Sequence, residues 1–165
     1  MSSVTSRLRI VAPRRGPVDL TDDLCRLVEH SGIAEGCAVV FCAHTTCTLL
    51  VNEWEDGALE DFRYRLSHLV PEGSYYAHDD LGRRTQNLVD GERRNGHAHV
   101  AQMLIGGSSH AIPVSEGLPL LGRWQRLILL ELDEPRERTV LVHIFGEPAG
   151  SERGDQAAAR LTMER

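Results

Sequence analysis

The chain has 165 residues, enough for one domain that buries roughly 70% of the surface its unfolded form would expose. Its formal net charge of −6 excludes a general nucleic-acid binder, which needs a basic face to neutralise phosphates. Every cationic side chain is arginine, so no lysine is available as a nucleophile or Schiff-base former.

No apolar run approaches the ~20 residues of a membrane helix. The start "MSSVTSRLRIVAPRR" lacks the apolar centre of a signal peptide, so the expected setting is the cytoplasm, with no membrane partner.

Val4 to Val11 predicts a first strand, ended by Pro13 and Gly16. Leu20, Leu24, Leu27 and Val28 recur at helical spacing, with the start at Asp19 or Thr21 and Gly32 as a C-terminal stop. "CAVVFCA" (37–43) and "CTLLVNE" (47–53) read as neighbouring buried strands, interrupted by His44, Thr45 and Thr46. Asp56 to Leu69 predicts a second helix whose Ala58, Leu59, Phe62, Leu66 and Leu69 share one side.

Residues 72–99 then form a long irregular segment carrying His78, His97 and His99 together with Arg83, Arg84, Arg93 and Arg94. Loops of this length in compact domains are usually functional or disordered, and this composition favours an ordered functional loop. A short helix follows and stops at Gly106–Gly107; glycine capping is the cheaper reading of "GGSSH", anion binding the rarer one. "HAIPVSE" (110–116) predicts a strand at an edge or bulge because of Pro113. "WQRLILLELDE" and "RTVLVHIFGE" predict a hairpin joined at "PRER". The expected architecture is α+β, a mixed and largely antiparallel sheet with two or three helices packed on one face. Residues 1–147 form the domain and 148–165 a flexible or loosely helical tail.

Eight histidines is a high count for this length. His30, His68, His110 and His143 read as surface or hydrogen-bonded residues. His44, His78 and His99 instead sit at a strand break, in the long loop and at a helix start, and are assigned as ligands to a divalent metal. Imidazole clusters suit zinc better than magnesium. Glu53 is a general base, a partner orienting a ligating histidine, or a cap on the helix near Asp56. Asn95 and His97 are placed with Glu53 in the catalytic set. Thr45, Thr46, Arg83 and Arg84 are candidate substrate contacts, the arginines through forks to phosphate or carboxylate. Trp124, beside Gln125, is either core or a planar wall for a ring. Cys25, Cys37, Cys42 and Cys47 contain no C-x-x-C pair and read as small packing residues.

Taken together, "HTTCTLLVNE" (44–53), "YYAHDD" (75–80), "NGHAHVAQMLIGGSSHAIPV" (95–114), "LLGRWQRLILLELDEPRER" (120–138) and "VLVHIFGE" (140–147) resemble the YjbQ-like family, whose members are often described as secondary thiamine-phosphate synthases. The resemblance implies a compact α+β domain, a homotrimer and a polar cleft containing histidine. The family pattern falls on His44, Thr45, Thr46, Asn52, Glu53, His78, Asn95, His99, Gly122, Trp124, Gln125, Gly146 and Glu147. Cys47 departs from it, standing where a small residue such as alanine is common.

The implied reaction joins a pyrimidine-methyl diphosphate to a thiazole phosphate. It calls for cations at the leaving diphosphate, which the arginine loop offers, and a wall against the pyrimidine, which Trp124 with Gln125 offers. Two other classes compete: a non-catalytic trimeric module binding an anion or small molecule, and a zinc-dependent hydrolase.

Overall fold

The computed structural model describes residues 1–150. Its elements run β1 (Ser2–Val11), β2 (Pro17–Asp19), α1 (Thr21–Ser31), β3 (Ile33–Cys42), β4 (Cys47–Glu53), α2 (Asp56–Leu69), α3 (Gly96–Ile105), β5 (Ser109–Ser115), β6 (Leu118–Pro119), β7 (Gln125–Glu131) and β8 (Glu137–Pro148). A single 3-10 turn, Ala77–Asp79, lies between α2 and α3.

The α+β class expected from the pattern is present, but the single mixed sheet resolves into two antiparallel ones. Five strands are ordered β1-β8-β3-β5-β6 and three β2-β7-β4. The apolar run of β7 explains the layering. Leu127 and Leu129 belong to one core cluster with β3, β8 and α1, whereas Leu130 and Leu132 belong to a second cluster with Ala98 and Ala101 of α3. Alternate side chains of a strand point to opposite faces, so the small sheet is a middle layer. It needs apolar residues on both sides, which is why "LILL" does not alternate.

Consequently the helices do not share one face. Leu24 and Val28 of α1 are fully buried in the first cluster, each contributing about 1.5–3 kcal/mol by burial. Helix α2 buries none of its own residues. Its Leu59 and Leu66 are half-buried, while Phe62 and Leu69 are exposed. Its N-terminus is capped by Glu55, whose carboxylate accepts from the Gly57 and Ala58 N–H groups at 2.8 and 2.7 Å. The capping role considered for Glu53 therefore belongs to Glu55.

Gly32 and Gly106 end α1 and α3 in the left-handed conformation, as the helix-stop reading requires. The carbonyl of Gly107 accepts from Leu49 N, pinning the end of α3 to β4. Pro113 sits in β5 opposite Cys37 of β3, and β6 pairs only with Val114 and Ser115, leaving most of β5 as an edge. The tail expected from 148 begins with the last residue of β8; 151–165 lie outside the described residues.

Candidate functional site

The break that interrupts β3 and β4 is the four-residue loop 43–46. Thr46 is buried, His44 half-buried and Thr45 exposed. The loop is tied to the start of β8: Thr139 N donates to His44 Nε2 at 2.8 Å, and Arg138 Nη2 donates to Thr46 Oγ1 at 2.9 Å. Arg138 is 2% exposed by its side chain and pairs with Glu131, at 0%, through Nε to Oε2 at 2.6 Å. Glu131 Oε1 also accepts from Asp133 N at 3.0 Å. A buried charge must be paired and hydrogen-bonded, and this one is.

Asp133 carries the network to α3. Its Oδ2 accepts from Asn95 Nδ2 at 3.3 Å and from Arg136. Asn95, buried at the N-terminal cap of α3, leaves its Oδ1 without a partner among the described residues, as does His97 with its Nε2 in the first turn.

The middle of the 72–94 segment folds back on the start of this helix. Asp79 Oδ1 accepts from Gly96 N at 2.9 Å, and a Cβ on Gly96 would stand 2.5 Å from the Tyr76 Cβ. Only glycine lets the 3-10 turn approach this closely. The result is a histidine pair: the rings of His78 and His99 are 4.4 Å apart, inclined at 50°.

Arg84 organises the segment around that pair. Its guanidinium donates to the carbonyls of Gln86 and Asn87 at 3.1 and 3.0 Å, pairs with Glu92 at 3.0 Å and reaches His78 Nε2 at 3.2 Å. Arginine has no acceptor, so Nε2 accepts and a neutral His78 carries its proton on Nδ1. An open cleft of about 510 Å³ lies here, lined by Ala77, His78, Arg83, Arg84, Thr85, Gln86 and Asn87. Arg83 is exposed and donates to Tyr75 Oη at 3.1 Å.

Burial, then the nearby Arg138 charge, pushes the His44 imidazole below its ordinary pKa. Burial, then the neighbouring His78, does the same for His99. Both rings are neutral near pH 7.

The sequence-predicted residues thus divide. His78, His99, Asn95 and Arg84 come together with Asp79 and Asp133. His44 and Thr46 join them only through the β7–β8 connection, which crosses between the two sheets instead of closing the expected hairpin, and where Arg136 influences His44 and Asp133 influences His99. His44, His78 and His99 do not form one ligand cluster: no group of three His, Cys, Asp or Glu side chains able to hold a metal is gathered among the described residues. The Nε2 lone pairs of His44 and His78 both face N–H donors.

Glu53 is exposed at the end of β4, opposite Gln125. Gln125 uses its Oε1 to accept from Gly122 N at 2.8 Å, and Trp124 is 62% exposed with Arg123 stacked 4.7 Å from its ring. Neither lines the cleft beside His78. The core alternative for Trp124 is excluded. Of the histidines read as ordinary, His30, His68, His110 and His143 each bond within the chain. A larger cavity, about 660 Å³, lies under α2 between Trp54, Arg63, Tyr64 and Leu130, and none of the predicted site residues line it.

The sequence reading misses Glu131, Asp133 and Arg138 because the first two close the strand candidate "WQRLILLELDE" and Arg138 falls in the "PRER" connection, where charged residues are ordinary. The available signal was an acidic residue, Glu131, completing a continuous apolar strand, since a charge placed there needs a partner.

Two antiparallel sheets, a histidine pair at a helix start and a buried carboxylate–arginine pair where the chain crosses between the sheets define a small α+β domain with a polar cleft near one helix N-terminus. The UPF0047 protein YjbQ-like family model matches residues 6–147, and the chain belongs to that family. It is 39% identical over 125 residues to a UPF0047 protein of Archaeoglobus fulgidus, covering 76% of this chain and 87% of that one. A UPF0047 protein of Methanothermobacter thermautotrophicus is 34% identical over 149 residues, with 90% and 96% covered. A crystal structure of a Sulfolobus solfataricus YbjQ-like protein of unknown function superposes with a TM-score of 0.76 at 33% identity, covering 88% of this chain and 99% of that one. Among the described residues no helix is long and apolar enough to cross a membrane.

Proposed function

We propose that the chain is an enzyme acting on a phosphate-bearing small molecule, held in the cleft beside His78 with the His78–His99 pair moving a proton to or from it. The observation that carries this is the pair itself: His78 lines a polar cleft and the His99 ring packs 4.4 Å from it. Arg84 fixes one imidazole as an Nδ1–H donor, and the His99 ring has no hydrogen-bond partner among the described residues. Such a pair offers a donor and an acceptor side by side, as acid–base catalysis requires. Arg83 supplies an exposed cation for phosphate. Arg84, spent on loop carbonyls and Glu92, positions His78 rather than binding substrate.

Joining a pyrimidine diphosphate to a thiazole phosphate falls within this substrate class, as does hydrolysis of a phosphate ester. A divalent ion, zinc rather than magnesium, is compatible with His99 as one ligand. His78 could be a second only if Arg84 withdraws from Nε2, and His44 a third only by releasing Thr139 N–H. Assembly as a homotrimer belongs to the same proposal, and the unburied α2 with exposed Phe62 and Leu69 supports a further packing surface there.

Thermal shift and calorimetry with phosphate and pyrophosphate test the binding. Saturable stabilisation lost in His99→Ala and Arg83→Ala is expected; no stabilisation of the wild type sinks the proposal. Rescue of a strain lacking thiamine-phosphate synthase, abolished by His99→Ala, would assign the joining reaction. Elemental analysis of untagged protein tests the ion, and light scattering the trimer.

A further inference from the structure

Cys42 closes β3 and Cys47 opens β4, so the two thiols bracket the loop that carries His44, Thr45 and Thr46. They also stand on different sheets. As residues in sequence they look like packing. In the fold their sulfurs are 3.1 Å apart, with both side chains buried. Cys25 and Cys37 are half-buried free thiols elsewhere.

The two bracketing thiols are not equivalent. The contact with Cys47 lowers the Cys42 pKa; burial opposes this, and the backbone N–H of His44 and the charge of Arg138 assist it. The same contact, together with burial, raises Cys47. Cys42 adjoins the exposed Ala43, whereas Cys47 lies between the buried Thr46 and Thr48, so Cys42 is the sulfur met first from the loop and attacks, and Cys47 resolves.

We infer that Cys42 and Cys47 form an oxidation site, a dithiol that a peroxide converts to a disulfide joining the two sheets across the base of the 43–46 loop. Cys42 sulfur attacks the O–O bond and takes one oxygen as sulfenic acid; the departing hydroxide leaves as water with the proton from the Cys42 thiol. Cys47 sulfur then attacks Cys42 sulfur and expels the second hydroxide, which leaves as water with the Cys47 proton. Two thiols lose two electrons and one peroxide becomes two waters.

A disulfide of about 2.05 Å requires the sulfurs to close by about 1 Å from their 3.1 Å separation. The exposed Ala43 and Thr45 of the intervening loop bring solvent to within one residue of Cys42 and two of Cys47 along the chain. Because His44 and Thr46 sit between the bridged residues, the bond fixes the loop that the β8 tethers hold only by hydrogen bonds. The site stands independently of the histidine pair and of any phosphate ligand.

The test uses the full chain, reduced, desalted, exposed to hydrogen peroxide, quenched with catalase, then denatured and alkylated. The expected product has lost two of its four alkylation sites, regains them with dithiothreitol, and shows by fragment mass spectrometry a 42–47 bridge with Cys25 and Cys37 alkylated. In Cys47→Ala the expected product is a dimedone-trapped sulfenic acid at Cys42. Four alkylated cysteines after peroxide would overturn the inference. So would a bridge involving Cys25 or Cys37, or sulfinic acid at Cys42 with no bridge. The wild-type measurement decides the question whether or not the variant folds.

Discussion

The 43–46 loop and the 72–94 segment both present predicted site residues, yet they are held by different physics. The loop is anchored by a buried ion pair: Glu131 binds Arg138, and Arg138 binds Thr46. The segment is held to the domain by the Asp79–Gly96 contact, and beyond it one half-buried arginine gathers the segment's own loop carbonyls and Glu92. Charges taken out of water hold their geometry strongly but are costly to disrupt, whereas contacts at the surface are screened and individually weak. The loop therefore belongs to the folding unit, and the segment can open without unfolding the domain.

The comparison is broken most severely at Arg138. Arg138→Ala leaves Glu131 buried and unpaired, with an expected loss of about 3–5 kcal/mol in denaturant unfolding. The double variant with Glu131→Leu is expected to recover much of that. Equal instability of the single and double variants would place the anchor elsewhere.

Gly96→Ala comes next. Its new Cβ meets Tyr76 at 2.5 Å, and overpacking of this kind costs about 1–3 kcal/mol. Histidine NMR should also show the His78–His99 contact weakened, an effect that Arg138→Ala would produce only by unfolding.

Arg84→Ala removes a partly buried ion pair and its loop hydrogen bonds, and should cost about 1–2 kcal/mol of global stability. Hydrogen exchange should nevertheless show the amides of 84–92 losing protection while β7 and β8 keep theirs. Uniform loss across the chain would mean that the segment is not a separate opening unit.

The smallest effect is that of pH. His44 and His99 are depressed in the folded state, so as pH falls below about 6.5 the unfolded chain takes up protons that the folded chain refuses. Stability is fully present above that pH and declines as pH falls toward the folded pKa values. His99→Gln should flatten the decline, readable as the pH dependence of the urea midpoint.

Much of the fold was legible because local patterns and tertiary roles agree. The α1 and α2 spans and the strands within 37–43, 47–53, 125–131 and 137–148 follow from periodicity and glycine or proline stops, whereas the hairpin expected at "PRER" does not form, because β7 and β8 enter different sheets. The division into two sheets was not, because "LILL" is equally consistent with any strand buried on both faces. Within the site, His78, Asn95 and His99 stood out by chemistry, but nothing local distinguished His78 as the partner of His99 from His44. That choice depends on Gly96 admitting Tyr76, a contact between residues twenty positions apart.

By itself the sequence determined the element types, the acidic and lysine-free surface chemistry, and the family, since these rest on residue identity and short-range spacing. Only the tertiary structure decided which polar groups are engaged: Arg84 on His78, Thr139 on His44, Arg138 on Glu131, Cys42 against Cys47. Hydrogen-bond partners and ionisation depend on distances of a few ångströms between segments far apart in the chain, and spacing along the chain does not encode those distances.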